Sequence, residues 1–161
     1  MICFVSLTGF TGGPLALHQA AAAVSEAGAE AGVLYVRPRR GQWHFTDDGK
    51  ALRADLGFRG RRKIDKRLAG FGFDLTKAFP KDATFVVPEA MPDLAFRLLM
   101  AGCRNVVFWW LSVDNFPLGS LATLETQRVL RDCRHVSQSA YARDFAERQG
   151  IARVGMLSDV T

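Results

Sequence analysis

The sequence is poor in the residues that staple or metallate a fold. Cys3, Cys103 and Cys133 are spread across 161 residues. An odd count without a CxxC pair excludes a disulfide framework and a zinc ribbon, and a reducing compartment suits such a chain. His18, His44 and His135 have no ligand spacing, so no metal cluster is read. Long apolar runs are lacking: a stretch such as Val106–Leu111 falls far short of the ~20 residues a spanning helix needs. The start, Met1-Ile2-Cys3-Phe4-Val5, has neither the basic region nor the small-residue cleavage site of a secretory signal. GxGxxG, a Walker loop and GxSxG are absent, as are internal repeats and low-complexity segments. No zinc finger, RNP motif or helix-turn-helix accompanies the basic residues, so nucleic acid is the weakest of the partner readings.

What remains is an ordinary globular composition, 48% hydrophobic and 23% charged, of a length that suits one domain over 1–161. The charge is uneven. Between Arg37 and Arg67 stand eleven basic and four acidic side chains, a net +7, whereas the whole chain carries +5. The densest part holds Arg59, Arg61, Arg62, Lys63, Lys66 and Arg67. Such a patch attracts anions, an acidic membrane surface among them; a solvated loop that only aids solubility is the plainer alternative.

Short apolar runs alternate with helical patterns, the signature of an α/β fold. Strands are expected at Ile2–Leu7, Gly32–Val36, Thr84–Val87, Asn105–Leu111, His135–Ser137 and Arg153–Leu157. Helices are expected at Leu15–Ala27, Pro92–Ala101, Leu121–Asp132 and Tyr141–Gln149, with Gly28, Gly102 and Gly150 just past three of their ends. Arg37–Phe73, with six glycines, is the least regular stretch and is assigned no element. Right-handed crossovers then give a Rossmann-like open parallel sheet of about six strands with helices on both faces. The chain stops directly after a strand, at Ser158–Thr161, as though cut before a further domain.

Four segments follow strand ends, where open parallel sheets bind ligands. Thr8–Pro14 is a glycine-rich turn into a helix, and helix amides with small neighbours admit a phosphate; a plain turn is the alternative. His18 lies on that helix and faces either the crevice or the core. Glu89, after Val87-Pro88, can accept hydrogen bonds from sugar hydroxyls, act as a base, or serve as a loop charge. Trp109-Trp110-Leu111-Ser112-Val113-Asp114-Asn115 puts aromatic, carboxylate and amide side chains together, chemistry suited to a sugar, although core packing explains at least one tryptophan. In Gln138-Ser139-Ala140-Tyr141, Ser139 is a natural N-cap and Gln138 is free for a ligand.

Taken in order, Thr11-Gly12-Gly13-Pro14 with His18-Gln19, Val87-Pro88-Glu89, Trp109–Asn115, Gln138–Ala142 and Leu157-Ser158-Asp159 resemble the N-terminal half of bacterial GT-B glycosyltransferases. The nearest kind is the retaining, family-4-like enzymes of surface polysaccharide synthesis. The resemblance spans nearly the whole chain and is weakest over Arg37–Lys81. It implies an acceptor-binding domain, completed by a C-terminal domain or partner subunit that holds the nucleotide-sugar donor with a paired-glutamate motif; that part is absent from this sequence. It also implies that Gly12 and Gly13 approach the donor diphosphate and that no other cofactor is held tightly. Asp114, Glu89 and His18 become the candidate catalytic residues, and Trp110, Asn115 and Gln138 the candidate contacts to a glycan or lipid-linked acceptor. The basic cluster from Arg59 to Arg67 becomes a docking face for the inner side of the cytoplasmic membrane. A domain without its partner exposes an apolar cleft face, so self-association is expected. The alternative is a non-catalytic Rossmann-like interaction domain using the same basic face.

Overall fold

A computed structural model describes residues 1–39, 42–57 and 63–158. The chain has an α/β fold. Six strands are parallel: β1 and β2 are neighbours in one compact unit, and β10, β9, β8 and β7 follow in that order in the other. They are β1 (Ile2–Ser6), β2 (Ala31–Tyr35), β7 (Thr84–Pro88), β8 (Asn105–Trp110), β9 (Arg134–Ser137) and β10 (Val154–Met156). A separate four-stranded sheet contains β3 (Arg37–Arg39), β4 (Gln42–Asp47), β5 (Ala51–Ala54) and β6 (Phe79–Pro80) in chain order. The helices are α1 (Gly12–Glu26), α2 (Lys66–Ala69), α3 (Pro92–Met100), α4 (Leu124–Asp132) and α5 (Ala140–Arg148). The described residues gather into two compact units, one up to Thr84 and one from Phe85 onward.

In the first unit, β1 and β2 are buried along four of five positions each, because both are continuous apolar runs that a covered parallel strand requires. Their register sets Ile2 against Ala31 and Ser6 against Tyr35. Buried Ala16, Ala20 and Ala21 give α1 a small-sided face suited to close packing. Gly32 is dictated by proximity: a Cβ there would stand 3.0 Å from the ring of Phe79.

Three strands, Arg37–Arg39, Gln42–Asp47 and Ala51–Ala54, lie in the stretch to which sequence assigns no element. It holds an antiparallel meander, with Arg37 opposite His44 and Phe45 opposite Ala54. The turn between β4 and β5 is Asp47-Asp48-Gly49-Lys50. Gly49 has φ +88°, and the Asp47 and Asp48 carboxylates accept the amide hydrogens of Gly49, Lys50 and Ala51. An Asp-Gly pair between alternating segments is a hairpin signal, here masked by the surrounding charge.

In the second unit, β8 pairs with β9 and β9 with β10, all parallel. Helix α3 starts on Pro92, and α4 and α5 start on Thr123 and Ser139, whose hydroxyls accept the amide hydrogens of Thr126 and Ala142. That cap explains why α4 begins three residues later than expected. Residues 118–120 form a 3-10 turn that ends before Thr123. Among the described residues no helix is long and apolar enough to cross a membrane.

Candidate functional site

In the first unit the glycine-rich turn follows the carboxyl end of β1. Helix α1 begins at Gly12, and Thr11 precedes it in extended backbone without capping it by its side chain. No acidic side chain occupies the first turn, and a Cβ built on Gly9 or Gly12 would meet nothing within 4 Å. The helix amides near Gly12 and the half-buried Gly13 are therefore left to solvent or an anion.

His18 is fully buried. Its Nδ1 lies 2.6 Å from the Pro14 carbonyl oxygen, which can only accept, so Nδ1 carries the proton. Nε2 is then the acceptor for the Tyr35 hydroxyl at 2.7 Å. Phe71 and Phe73 cover the imidazole, with ring centroids 5.4 and 6.0 Å away. Burial lowers the His18 pKa against the opposing Pro14 hydrogen bond, and pushes the Tyr35 phenol up to about 12. The pair is neutral, and it ties the first turn of α1 to β2.

The glycine turn is also latched from outside. Asp65 donates its amide hydrogen to Thr8 O at 3.0 Å. The Arg67 guanidinium lies 3.5 Å from the centroid of Phe10 and is gripped by both Asp65 carboxylate oxygens. The Arg67 hydrogen bonds hold the Asp65 carboxyl below its usual range. Lys63, Lys66 and Arg67 of the basic cluster are exposed. Arg59, Arg61 and Arg62 lie outside the described residues.

In the second unit the loop after β8 is organised around Glu89. This side chain is 1% exposed. Its Oε2 accepts the Leu111 amide hydrogen at 2.9 Å, and the carboxylate also receives hydrogen bonds from the Ser112 amide and the Asn115 side chain. Burial raises its pKa, and these donors oppose the rise. Glu89's own amide hydrogen goes to Trp109 O. The result is a turn at Val113–Asn115 that leaves Asp114 exposed beyond the carboxyl end of β8.

Trp109 and Trp110 are completely buried. Trp110 packs with Phe108, Phe116 and Phe145, and its indole donates to His135 Nδ1 at 3.1 Å. His135 Nε2 then donates to Leu130 O at 3.0 Å, and burial drives the His135 pKa down to about 4. The indole nitrogen of Trp109 is buried without a hydrogen-bond partner. Gln138, half-buried, donates its amide hydrogen to Trp110 O at the carboxyl end of β9.

Of the residues singled out from sequence, Glu89 and Asn115 meet directly, and they shape the backbone around Asp114. His18 and Trp110 have their polar atoms and ring faces occupied by the interior of their own units. Sequence reading passed over the Leu111 and Ser112 amides and the Phe10–Arg67–Asp65 latch. Asp65 two residues before Arg67 was a visible signal; the arrival of Phe10 beneath the guanidinium was not. Neither a family model, a curated protein nor a solved structure matches this chain.

Proposed function

We propose that this chain is the acceptor-side half of a glycosyltransferase, binding a glycan or lipid-linked acceptor while a donor-binding domain or subunit presents a nucleotide sugar. The observation that carries the reading is the loop after β8, held from below by a buried carboxylate and presenting Asp114 at a strand's carboxyl end. A loop fixed in advance holds a carboxylate where a hydroxyl can donate to it, without a further ordering cost on binding.

In this reading Asp114 accepts a hydrogen bond from an acceptor hydroxyl, and Gln138 offers a second polar contact. Glu89, Asn115 and His18 are positioning residues. The first two fix the Asp114 turn, and His18 fixes the start of α1. The amides at Gly12 and Gly13 suit the donor diphosphate, because unpaired helix N–H groups stabilise negative charge that grows as the diphosphate leaves. The basic cluster that includes Lys63, Lys66 and Arg67 serves an anionic membrane surface where lipid-linked acceptors reside. On this reading the chain works at the cytoplasmic face of the membrane, held there peripherally.

The test is transfer from a panel of nucleotide sugars, with this chain alone and with a donor-binding half added. Transfer only in the mixture, abolished by Asp114→Asn, supports the reading. Absence of both transfer and acceptor binding, with the two halves folded and associated, overturns it in favour of an interaction domain.

A further inference from the structure

An open groove of about 710 Å³ lies in the second unit, at the amino ends of β9 and β10. It is lined by the buried Leu130 and Ile151 and by the exposed Ala152, Arg131, Arg134 and Arg153. No aspartate or glutamate is among its lining residues. A hollow of about 170 Å³ extends it past Gln127 and Gln149.

The three arginines differ in what holds them. Arg131 is in the last turn of α4 and its Nε lies 2.8 Å from Asp132 Oδ1. A cation in a last helical turn compensates the macrodipole, and Arg148 occupies the same place in α5. Arg134 and Arg153 belong to neither helix. Val154 stands opposite His135 in the parallel pairing, and Arg153 and Arg134 each immediately precede these partners in the chain, so both enter the groove from the same edge of the sheet. Both side chains line the groove and both residues are exposed. Among the described residues no carboxylate pairs with either. Two like charges lining one groove repel each other, and an anion bridging them removes that penalty.

We propose that this groove binds a small soluble ligand of the diphosphate class, gripped by Arg134 and Arg153 beside the buried Leu130 and Ile151. Guanidinium forks match phosphate oxygens in pairs, which a point charge does not. The groove's volume falls in the range of small-molecule sites, roughly 300–1,000 Å³. Its concavity suits a compact ligand rather than a flat surface. The site is independent of the glycosyltransferase reading: it lies at the amino end of β9, whereas Gln138 follows the carboxyl end of the same strand.

The test is a titration of isotope-labelled protein with inorganic pyrophosphate at constant ionic strength, followed by the backbone amide and arginine Nε–H signals. The wild type should saturate, with the Nε–H signals of Arg134 and Arg153 moving together. The double variant Arg134→Gln with Arg153→Gln should bind at least tenfold more weakly, while Arg104→Gln, an exposed change outside the groove, should leave affinity unchanged. Without ligand and at low salt the double variant should melt at a higher temperature than the wild type, because the repulsion is gone. Shifts of the Gly12 and Gly13 amides report separately on the glycine turn, so the two sites fail or succeed independently. Non-saturating arginine shifts, or equal affinity in the double variant, would overturn the proposal. So would capture on phosphatidic-acid vesicles that depends on both arginines while free pyrophosphate does not bind. Should the double variant fail to fold, the wild-type Nε–H signals still decide the matter.

Discussion

Glu89 is where residue type and surroundings diverge most. From sequence it is either a carboxylate that acts on a substrate or a cap or loop charge; in the fold it is a buried acceptor for the donors of Leu111, Ser112 and Asn115. Replacing it by Gln turns one acceptor oxygen into a donor facing donors. Leaving buried hydrogen-bonding groups unpaired costs about 1–3 kcal/mol. Glu89→Gln is therefore expected to lower stability by that amount and to speed amide exchange at Leu111 and Ser112. Exchange rates unchanged at those two amides would contradict the positioning role. Tyr35 gives a parallel case in the first unit. Tyr35→Phe leaves His18 Nε2 buried without its donor, and the expected loss is again about 1–3 kcal/mol in a denaturant titration.

At the level of elements, capping accounts for boundaries that periodicity leaves loose. Thr123 and Ser139 each accept an amide hydrogen from the residue three positions on, and their helices start directly after them. Ser139→Ala should cost about 1 kcal/mol, and Ser139→Asp should restore most of it. Thermal midpoints of the two variants measure this directly. The meander of β3 to β5 shows the opposite failure of local reading. Its strands are half-exposed and charged, so no apolar run marks them, and only the Asp48-Gly49 turn betrays the hairpin. Gly49 has φ +88°, a conformation that strains any residue with a Cβ. Gly49→Ala should therefore destabilise by roughly 1 kcal/mol or more, which the same measurement detects.

For the whole molecule, the two buried histidines set the response to acid. His135 takes a proton only near pH 4 in the folded chain but near 6.5 when unfolded. Between these values the unfolded state binds the extra proton, so stability falls as pH drops from about 6.5 to about 4. The full effect of His135 is roughly 3 kcal/mol at about 1.4 kcal/mol per pH unit. His18, lowered in the same direction by burial, adds to it. Glu89, raised by burial, acts oppositely: its contribution is greatest at low pH and is lost as pH rises through its elevated pKa. Urea midpoints between pH 4 and 7 should rise with pH in the wild type and more shallowly in His135→Gln, if that variant folds. A profile as steep in His135→Gln as in the wild type would show that His135 is not held neutral. The net charge of +5, concentrated near the basic cluster, carries a further expectation. Binding to anionic vesicles should weaken steeply as salt is raised, since screening shortens from about 10 Å at 0.1 M to 3 Å at 1 M.

The sequence by itself determined the alternation of strands and helices, because buried parallel strands must be continuous apolar runs and helices announce themselves by caps and closing glycines. It therefore carried the six-stranded parallel sheet, the glycine-rich turn at the head of α1 and the polar loops after β8 and β9. Only the tertiary structure decided what each polar side chain does. Whether Glu89 faces solvent or three N–H donors, and whether His18 meets a crevice or Tyr35 and two phenylalanines, depends on residues distant in the chain. That Arg134 and Arg153 line one groove likewise follows only from β9 and β10 lying side by side. Burial is a property of packing, and packing brings together positions that no local pattern relates.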